Sequence, residues 1–103
     1  MSVINLNESN FEEEVIKSEK TVLIDFWASW CGPCRMMSPV IDKIAEDMKD
    51  QVKVCKINID EEQSLAVKYN VMSIPTFIVF KNGKEEARSI GVQDEAEIVN
   101  MLK

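Results

Sequence analysis

Apolar and polar residues alternate along the chain in a pattern that predicts strands and helices in turn. Two nearly continuous apolar runs, residues 21–27 and residues 52–59, are typical of central strands that are covered on both faces. Residues 34–50 carry apolar side chains at helical spacing and predict the longest helix, in which Pro39 is expected to produce a kink. Shorter helices are predicted at residues 7–20, at residues 61–69 and after Asp94.

A hairpin signal lies in the C-terminal third of the chain. Strand patterns at residues 76–80 and 85–90 are joined by Lys81-Asn82-Gly83-Lys84, and Asn-Gly is a preferred pair for a two-residue turn. With a short first strand at residues 3–6, the predicted order is β-α-β-α-β-α-β-β-α. This order implies an α/β domain with helices on both faces and an antiparallel hairpin at one edge of the sheet. No linker or repeat divides the chain, so we expect residues 1–103 to form one domain.

The composition narrows the range of functions. The 103 residues carry a net charge of -6. This charge argues against nucleic acid as a partner, because binding to phosphate groups needs clustered Lys and Arg. No apolar run approaches the roughly 20 residues of a membrane span. The first residues show neither a basic start nor the cleavage site of a secretory leader, so we expect a cytoplasmic protein.

Two cysteines provide the strongest chemical signal. Cys31 and Cys34 lie where a predicted strand gives way to a helix, and their spacing lets them close a small disulfide ring. The positive end of the helix dipole favours an anion at Cys31, which lowers the pKa of its thiol and makes it a nucleophile. A zinc or iron–sulfur site with the usual ligands cannot be completed, because the chain has no His and only one other thiol, Cys55. We interpret Cys55, on a predicted buried strand, as an inert small apolar residue.

Asp25 interrupts an otherwise apolar strand, and two interpretations are open. It could be a solvent-facing acid at the edge or end of the strand. The apolar run around it favours burial instead, which raises the pKa of a carboxyl group towards neutrality and would let it take the proton of Cys34. Lys56, on the neighbouring predicted strand, could pair with Asp25 and moderate its pKa, or could extend to solvent as a surface lysine.

The chain closely resembles the thioredoxin family along its whole length. The resemblance is carried by Trp30-Cys31-Gly32-Pro33-Cys34, Ile74-Pro75-Thr76-Phe77, Asp25, Pro39, Asn82-Gly83 and Gly91, in the family's order. It implies a thioredoxin fold, with a central mixed five-stranded sheet flanked by four helices. It also implies a protein-disulfide reductase that a thioredoxin reductase returns to the dithiol form. No bound cofactor is implied beyond the redox-active Cys31–Cys34 disulfide.

The resemblance also suggests a role for each residue of the site. Cys31 forms a mixed disulfide with the substrate, and Cys34, expected to be the more buried thiol, resolves it. Asp25 assists proton transfer, and Lys56 is predicted to be a catalytic residue together with Asp25. A cis bond before Pro75 is implied to face the dithiol, where the preceding residue pairs with a substrate strand.

Substrate binding is predicted around an exposed Cys31 sulfur. A flat apolar patch suited to transient docking of extended segments is expected from Trp30, Gly32, Pro33, Ile74 and Gly91, and Pro75 completes the substrate-binding set. No other surface is expected to be adhesive, so we expect a monomer. The chain departs from the common family pattern at Met72-Ser73 and at Val92, and both departures bear on the choice of partner.

Three other functions stay open at this point. The same fold could donate disulfides as an oxidase or isomerase, although Gly-Pro between the cysteines and the lack of His disfavour that direction. A non-catalytic module could use the apolar patch to bind a partner protein. Glutathione chemistry of the glutaredoxin type is the third, and the chain length, the cysteine motif and the acidity favour the thioredoxin type instead.

Overall fold

The predicted order of strands and helices is confirmed by a computed structural model, which describes residues 3–103; residues 1 and 2 of the predicted domain lie outside the described residues. The strands are β1 (Val3–Asn5), β2 (Thr21–Trp27), β3 (Val52–Asn58), β4 (Thr76–Lys81) and β5 (Lys84–Ile90). The helices are a π-helical segment (Glu12–Ile16), α1 (Gly32–Asp47), α2 (Gln63–Lys68) and α3 (Glu95–Met101).

The five strands form one mixed sheet in the order β1-β3-β2-β4-β5. Strands β1 and β2 run parallel to β3, whereas β4 is antiparallel to β2 and β5 is antiparallel to β4. The mixed sheet implied by the resemblance and the hairpin at its edge are therefore both confirmed. No helix within residues 3–103 has the length and apolar composition needed to cross a membrane.

The central strand β2 is almost entirely apolar, apart from Thr21 and Asp25, because helices cover both faces of the sheet. On one face, Ile24 and Phe26 pack with Phe11 beside the π-helical segment and with Leu65 of α2. On the other face, Leu23 belongs to a cluster that α1 and α3 complete, with Met37, Ile41, Ile44 and Ile98 among its members. Successive residues of a strand point to opposite faces, so a strand between two such layers has no solvent side.

The first predicted helix, residues 7–20, is much shorter than expected. Polar side chains turn the backbone at both of its ends, which leaves only the π-helical segment between them. The Asn7 side-chain oxygen accepts hydrogen bonds from the backbone N–H groups of Ser9 and Asn10, at 2.8 and 3.0 Å. The Ser18 hydroxyl donates to the Lys20 carbonyl and accepts from the Lys20 N–H. Asn and Ser compete in this way with helical hydrogen bonding.

The longest helix begins at Gly32, two residues earlier than predicted, because Cys31 serves as its N-cap and Pro33 fits the first turn. It ends at Asp47 rather than at residue 50. Pro39 lies inside this unbroken helix, and the expected kink stays a prediction. The predicted hairpin turn is confirmed, since Asn82 and Gly83 both have positive φ, at 55° and 80°, as a two-residue type I′ turn requires.

Candidate active site

A disulfide joins Cys31 and Cys34 at the junction between β2 and α1. Cys31 is the N-cap of α1, and its Sγ accepts a hydrogen bond of 3.2 Å from the backbone N–H of Cys34. In the reduced protein the same N–H and the positive end of the helix dipole stabilise a thiolate at Cys31. The local fold can therefore favour a thiolate at Cys31 once the disulfide is reduced.

The two cysteines are buried to nearly the same extent. Cys31 is 5% exposed and Cys34 is 4% exposed, so the expectation of an exposed Cys31 is wrong for the disulfide form, and Cys34 is the more buried residue by a small margin only. Both pack against Ala28, with Trp27 and Ile59 also in contact with this cluster. Neighbouring side chains therefore leave little of the disulfide exposed to a reaction partner.

Asp25 is buried, at 1% exposure, in the centre of β2, which excludes the interpretation as a solvent-facing acid. Its Oδ1 atom has no hydrogen-bond partner among the described residues. Burial raises the pKa of its carboxyl group from 3.8 to about 7, while the charge of Lys56 lowers it and that of Asp42 raises it. A carboxyl group with this pKa can exchange protons near neutral pH.

Lys56 lies opposite Asp25 in the register of β2 and β3, and its charge lowers the pKa of Asp25, as one of the two interpretations expected. Its ammonium group donates a 3.0 Å hydrogen bond to the Ser38 hydroxyl of α1, and it lies 3.9 Å from an Asp42 carboxylate oxygen. No ion pair joins Lys56 to Asp25 within residues 3–103, and its side chain is only 15% exposed. Lys56 therefore acts on Asp25 through space, from a position held by α1.

Cys34 and Ser38 on α1 face the side of the sheet that carries Asp25. Ser38 follows Cys34 by one helical turn, so the two side chains lie on the same side of α1. Leu23, two residues before Asp25 on β2, packs in the cluster that contains α1, so Asp25 also points to the α1 face. The described contacts thus place Asp25 and Lys56 beneath the helix that carries the dithiol.

The cis peptide bond predicted between Ile74 and Pro75 is present. The carbonyl oxygen of Ile74 lies 3.9 Å from Cys31 Sγ, and the carbonyl of Pro75 accepts a 2.8 Å hydrogen bond from Gly91 N–H. Gly91 has a φ of 91°, and the space where a side chain would begin is open. The backbone before the proline is therefore adjacent to the reactive sulfur, as the resemblance implied.

A groove of about 280 Å³ runs beside the disulfide, where a flat patch was predicted. It is lined by Trp30, Ile59, Val71, Met72, Ser73 and Ile74. Trp30 is 66% exposed and its indole N–H donates a 2.8 Å hydrogen bond to Asp60, which fixes the ring at the rim. Of the remaining predicted binding residues, Gly32 is half-buried and Pro33 is exposed in the first turn of α1, while Pro75 is buried.

Two residues that the sequence singled out, and two contacts that it did not predict, lie near the site. Met72 is 86% exposed and extends the groove, and Val92 is also exposed, so both departures from the family pattern lie at the surface. Ser38 could have been found from its spacing of four residues from Cys34 on a helix. The contact between Trp30 and Asp60 joins residues thirty positions apart, and no local pattern indicates it.

The third cysteine, Cys55, lies within the sheet. Cys55 is fully buried in β3, and burial raises the pKa of its thiol to about 12, which confirms its interpretation as an inert residue. Within residues 3–103, no group of three or more His, Cys, Asp or Glu side chains could hold a metal ion.

The geometry defines the class of protein. A disulfide that caps a helix, beside a cis-proline loop on a mixed sheet, is the site of a thiol-disulfide oxidoreductase. The family model described as Thioredoxin matches residues 2–103, and the chain belongs to the thioredoxin family. Membership implies protein disulfides as substrates and a reductase as partner, with the Cys31–Cys34 pair as the redox group.

Individual relatives support this assignment across nearly the whole chain. The chain is 43% identical over 100 residues to a thioredoxin of Pseudomonas aeruginosa, covering 97% of this chain and 93% of the relative. It is 44% identical over 98 residues to a thioredoxin of Rickettsia felis, covering 95% and 93%. It is 45% identical over 103 residues to a thioredoxin of Griffithsia pacifica, covering 100% and 94%.

Proposed function

We propose that this protein is a general protein-disulfide reductase in which Cys31 attacks the substrate and Cys34 resolves the intermediate. The observation that carries the proposal is the position of Cys31 as the N-cap of α1, with the Ile74 carbonyl 3.9 Å from its sulfur. One side of Cys31 is thus stabilised as an anion by the helix. The other side faces a backbone group with which an extended substrate segment can pair.

The first step is attack by the Cys31 thiolate on one sulfur of the substrate disulfide. A new bond forms between Cys31 Sγ and that sulfur, the substrate disulfide breaks, and the second substrate sulfur leaves as a thiolate. The hydrogen bond from Cys34 N–H to Cys31 Sγ supports this choice of nucleophile, since it favours the anion at Cys31.

The second step is attack by Cys34 on Cys31. It re-forms the Cys31–Cys34 disulfide and releases the remaining substrate sulfur as a thiolate, so two electrons have passed to the substrate. Cys34 must lose its proton first, and Asp25, with a pKa raised by burial to about 7, is the proposed acceptor. General-base assistance of this kind typically contributes about 10²- to 10⁴-fold to a rate.

Lys56 and the groove have supporting roles in this proposal. Lys56 lowers the pKa of Asp25 by its charge, which keeps part of the carboxyl population ionised and able to accept a proton. The groove, which Trp30 and Ile74 line, receives the substrate segment next to the disulfide. Gly32, Pro33, Pro75 and Gly91 do not line the groove and are proposed to contact the substrate outside it.

We infer the wider setting from the same chemistry. A thiol pair that reduces protein disulfides must itself be kept reduced, so we propose that it works in the cytoplasm with a thioredoxin reductase as electron donor. We also propose that residues 1–103 act as one domain and as a monomer. The apolar groove at the disulfide supports this arrangement, since it has to stay free for substrates.

The Cys34→Ser variant tests the two cysteine roles. With Cys34 removed, the mixed disulfide between Cys31 and a protein substrate cannot be resolved, so reduced C34S incubated with insulin should accumulate this adduct. Non-reducing electrophoresis and mass spectrometry measure it. Cys31→Ser should form no adduct, and Cys55→Ser should reduce insulin as the unsubstituted protein does, because Cys55 is buried in β3.

Two outcomes would contradict the proposal. If C31S traps the substrate and C34S does not, the nucleophile has been assigned to the wrong cysteine. If the unsubstituted reduced protein leaves insulin disulfides intact, the protein is not a general reductase, and the non-catalytic binding module becomes the better interpretation.

A further inference from the structure

The end of α2 is closed by a backbone motif that leaves two carbonyl groups for another partner. Asn70 has a positive φ of 56°, and its N–H donates to the Val67 carbonyl at 3.0 Å. Val71 N–H donates to the Ala66 carbonyl at 2.9 Å. This pair of bonds around a left-handed residue is a Schellman motif, which satisfies the earlier carbonyls of the last turn. The carbonyls of Tyr69 and Asn70 come next in the chain.

Arg88, on the edge strand β5, supplies donors to both of these carbonyls. Its Nη2 donates to the Tyr69 carbonyl at 2.7 Å, and its Nη1 donates to the Asn70 carbonyl at 3.3 Å. The guanidinium group also places a positive charge at the C-terminal end of a helix, where the dipole favours a cation. The end of α2 is therefore attached to the sheet by one side chain.

A second side chain, Glu85, holds the guanidinium group in place. Glu85 accepts hydrogen bonds from Nε and Nη2 of Arg88, at 2.9 and 3.0 Å, in a bidentate arrangement. Residues three apart on a regular strand point to opposite faces. Here Val79 pairs with Ala87 but Phe80 pairs with Glu85, so Glu86 is bulged out of the ladder. The bulge brings Glu85 to the face of Arg88.

The attached segment leads directly to the active site. Residues 71–75 belong to neither a helix nor a strand. Their position depends on the packing of Val71 and Ile74, on the hydrogen bond from the Thr76 hydroxyl to the Ser73 carbonyl, and on how the two ends of the segment are held. Gly91 N–H binds the Pro75 carbonyl at one end, and Arg88 binds the carbonyls before Val71 at the other. Four of the six residues that line the groove beside the disulfide lie in this segment: Val71, Met72, Ser73 and Ile74.

We propose that Glu85 and Arg88 are a positioning pair that fixes the groove wall and thereby sets the rate at which protein disulfides, but not small disulfides, are reduced. The inference rests on the proposed reductase function. A polypeptide must lie along the groove for its disulfide to meet Cys31 in line, so a displaced wall misaligns it. A small disulfide reaches the sulfur without occupying the groove.

The test measures two second-order rate constants for each variant. Pre-reduced protein is mixed with insulin, or with hydroxyethyl disulfide, and its oxidation is followed by tryptophan fluorescence. Arg88→Met removes both bonds to α2, and we expect the rate constant with insulin to fall by about tenfold while that with hydroxyethyl disulfide is unchanged. Glu85→Gln keeps Arg88 and the side-chain shape, and should give a smaller loss with insulin alone.

A matched control separates this effect from a simple change of charge. Lys84→Met also removes one positive charge from β5, at a residue that forms part of the hairpin end, and it should change neither rate constant. Circular dichroism checks folding, and if R88M does not fold, the ratio of the two rate constants in E85Q decides alone. Equal losses with both substrates, or no loss with insulin, would overturn the positioning role. An unsubstituted protein that does not reduce insulin would instead overturn the proposed function itself.

Discussion

Asp25 is an acidic residue, which ordinarily lies in solvent, and the fold buries it. A carboxyl group at 1% exposure, with Oδ1 unpartnered among the described residues, is costly to ionise, and burial raises its pKa to about 7. Sites that move protons are where such perturbed groups are found, so the burial of Asp25 supports its proposed role at Cys34.

Asp25 should make the stability of the oxidised protein fall as pH rises. Its folded pKa of about 7 lies above the ordinary 3.8, so the folded state holds a proton that the unfolded state has released between these values. The contribution of Asp25 to the free energy of unfolding is therefore full below about pH 4. This contribution is lost as the pH rises through about 7, by about 4 kcal/mol in total.

The Asp25→Asn variant measures this contribution. Asn carries no charge at any pH. In urea unfolding across this range, the free energy of unfolding of the variant should therefore rise relative to that of the unsubstituted protein as the pH increases. A difference in unfolding free energy that does not change with pH would show that Asp25 has an ordinary pKa. Lys56 and Asp42, the other charged groups that act on Asp25, are present in both proteins.

The elements that the sequence predicts well are those whose signals are local. The strands and the hairpin follow from apolar runs and from Asn82-Gly83, and the N-terminus of α1 departs by only two residues from the prediction. The apolar spacing predicts a much longer helix than the observed π-helical segment. The segment is short because side-chain hydrogen bonds at Asn7 and Ser18 outweigh the helical pattern there.

The hairpin turn offers a test at this scale. Gly83 has a φ of 80°, and a side chain there would begin 2.9 Å from the backbone oxygen of Ile16. Gly83→Ala should therefore destabilise the protein by about 2 kcal/mol, partly through the left-handed backbone and partly through this contact. Asn82→Ala, in the same turn with a φ of 55°, tests the backbone part alone and should cost less in urea unfolding. Equal losses would show that the contact with Ile16 has no effect.

The whole molecule joins parts of the site that no local pattern connects. The cysteine pair, the cis bond before Pro75 and the burial of Asp25 could be predicted, because a resemblance or an apolar run indicates each of them. The bond between Ser38 and Lys56, and the attachment of α2 by Arg88, depend on side chains that only the assembled sheet brings together. The near-equal burial of the two cysteines is likewise a property of packing.

For the molecule as a whole, we propose that the Cys31–Cys34 pair is a reducing dithiol. The pair closes at the start of α1, and the chain belongs to the thioredoxin family from residue 2 to residue 103. The reduction potential of the pair, measured by equilibration with a dithiol buffer and followed by tryptophan fluorescence, distinguishes a reductant from a disulfide donor. We expect about -270 mV, which is the general value for thioredoxin rather than one calculated from this structure. A potential near the about -180 mV of protein disulfide isomerase would contradict the claim and assign the protein to disulfide donation.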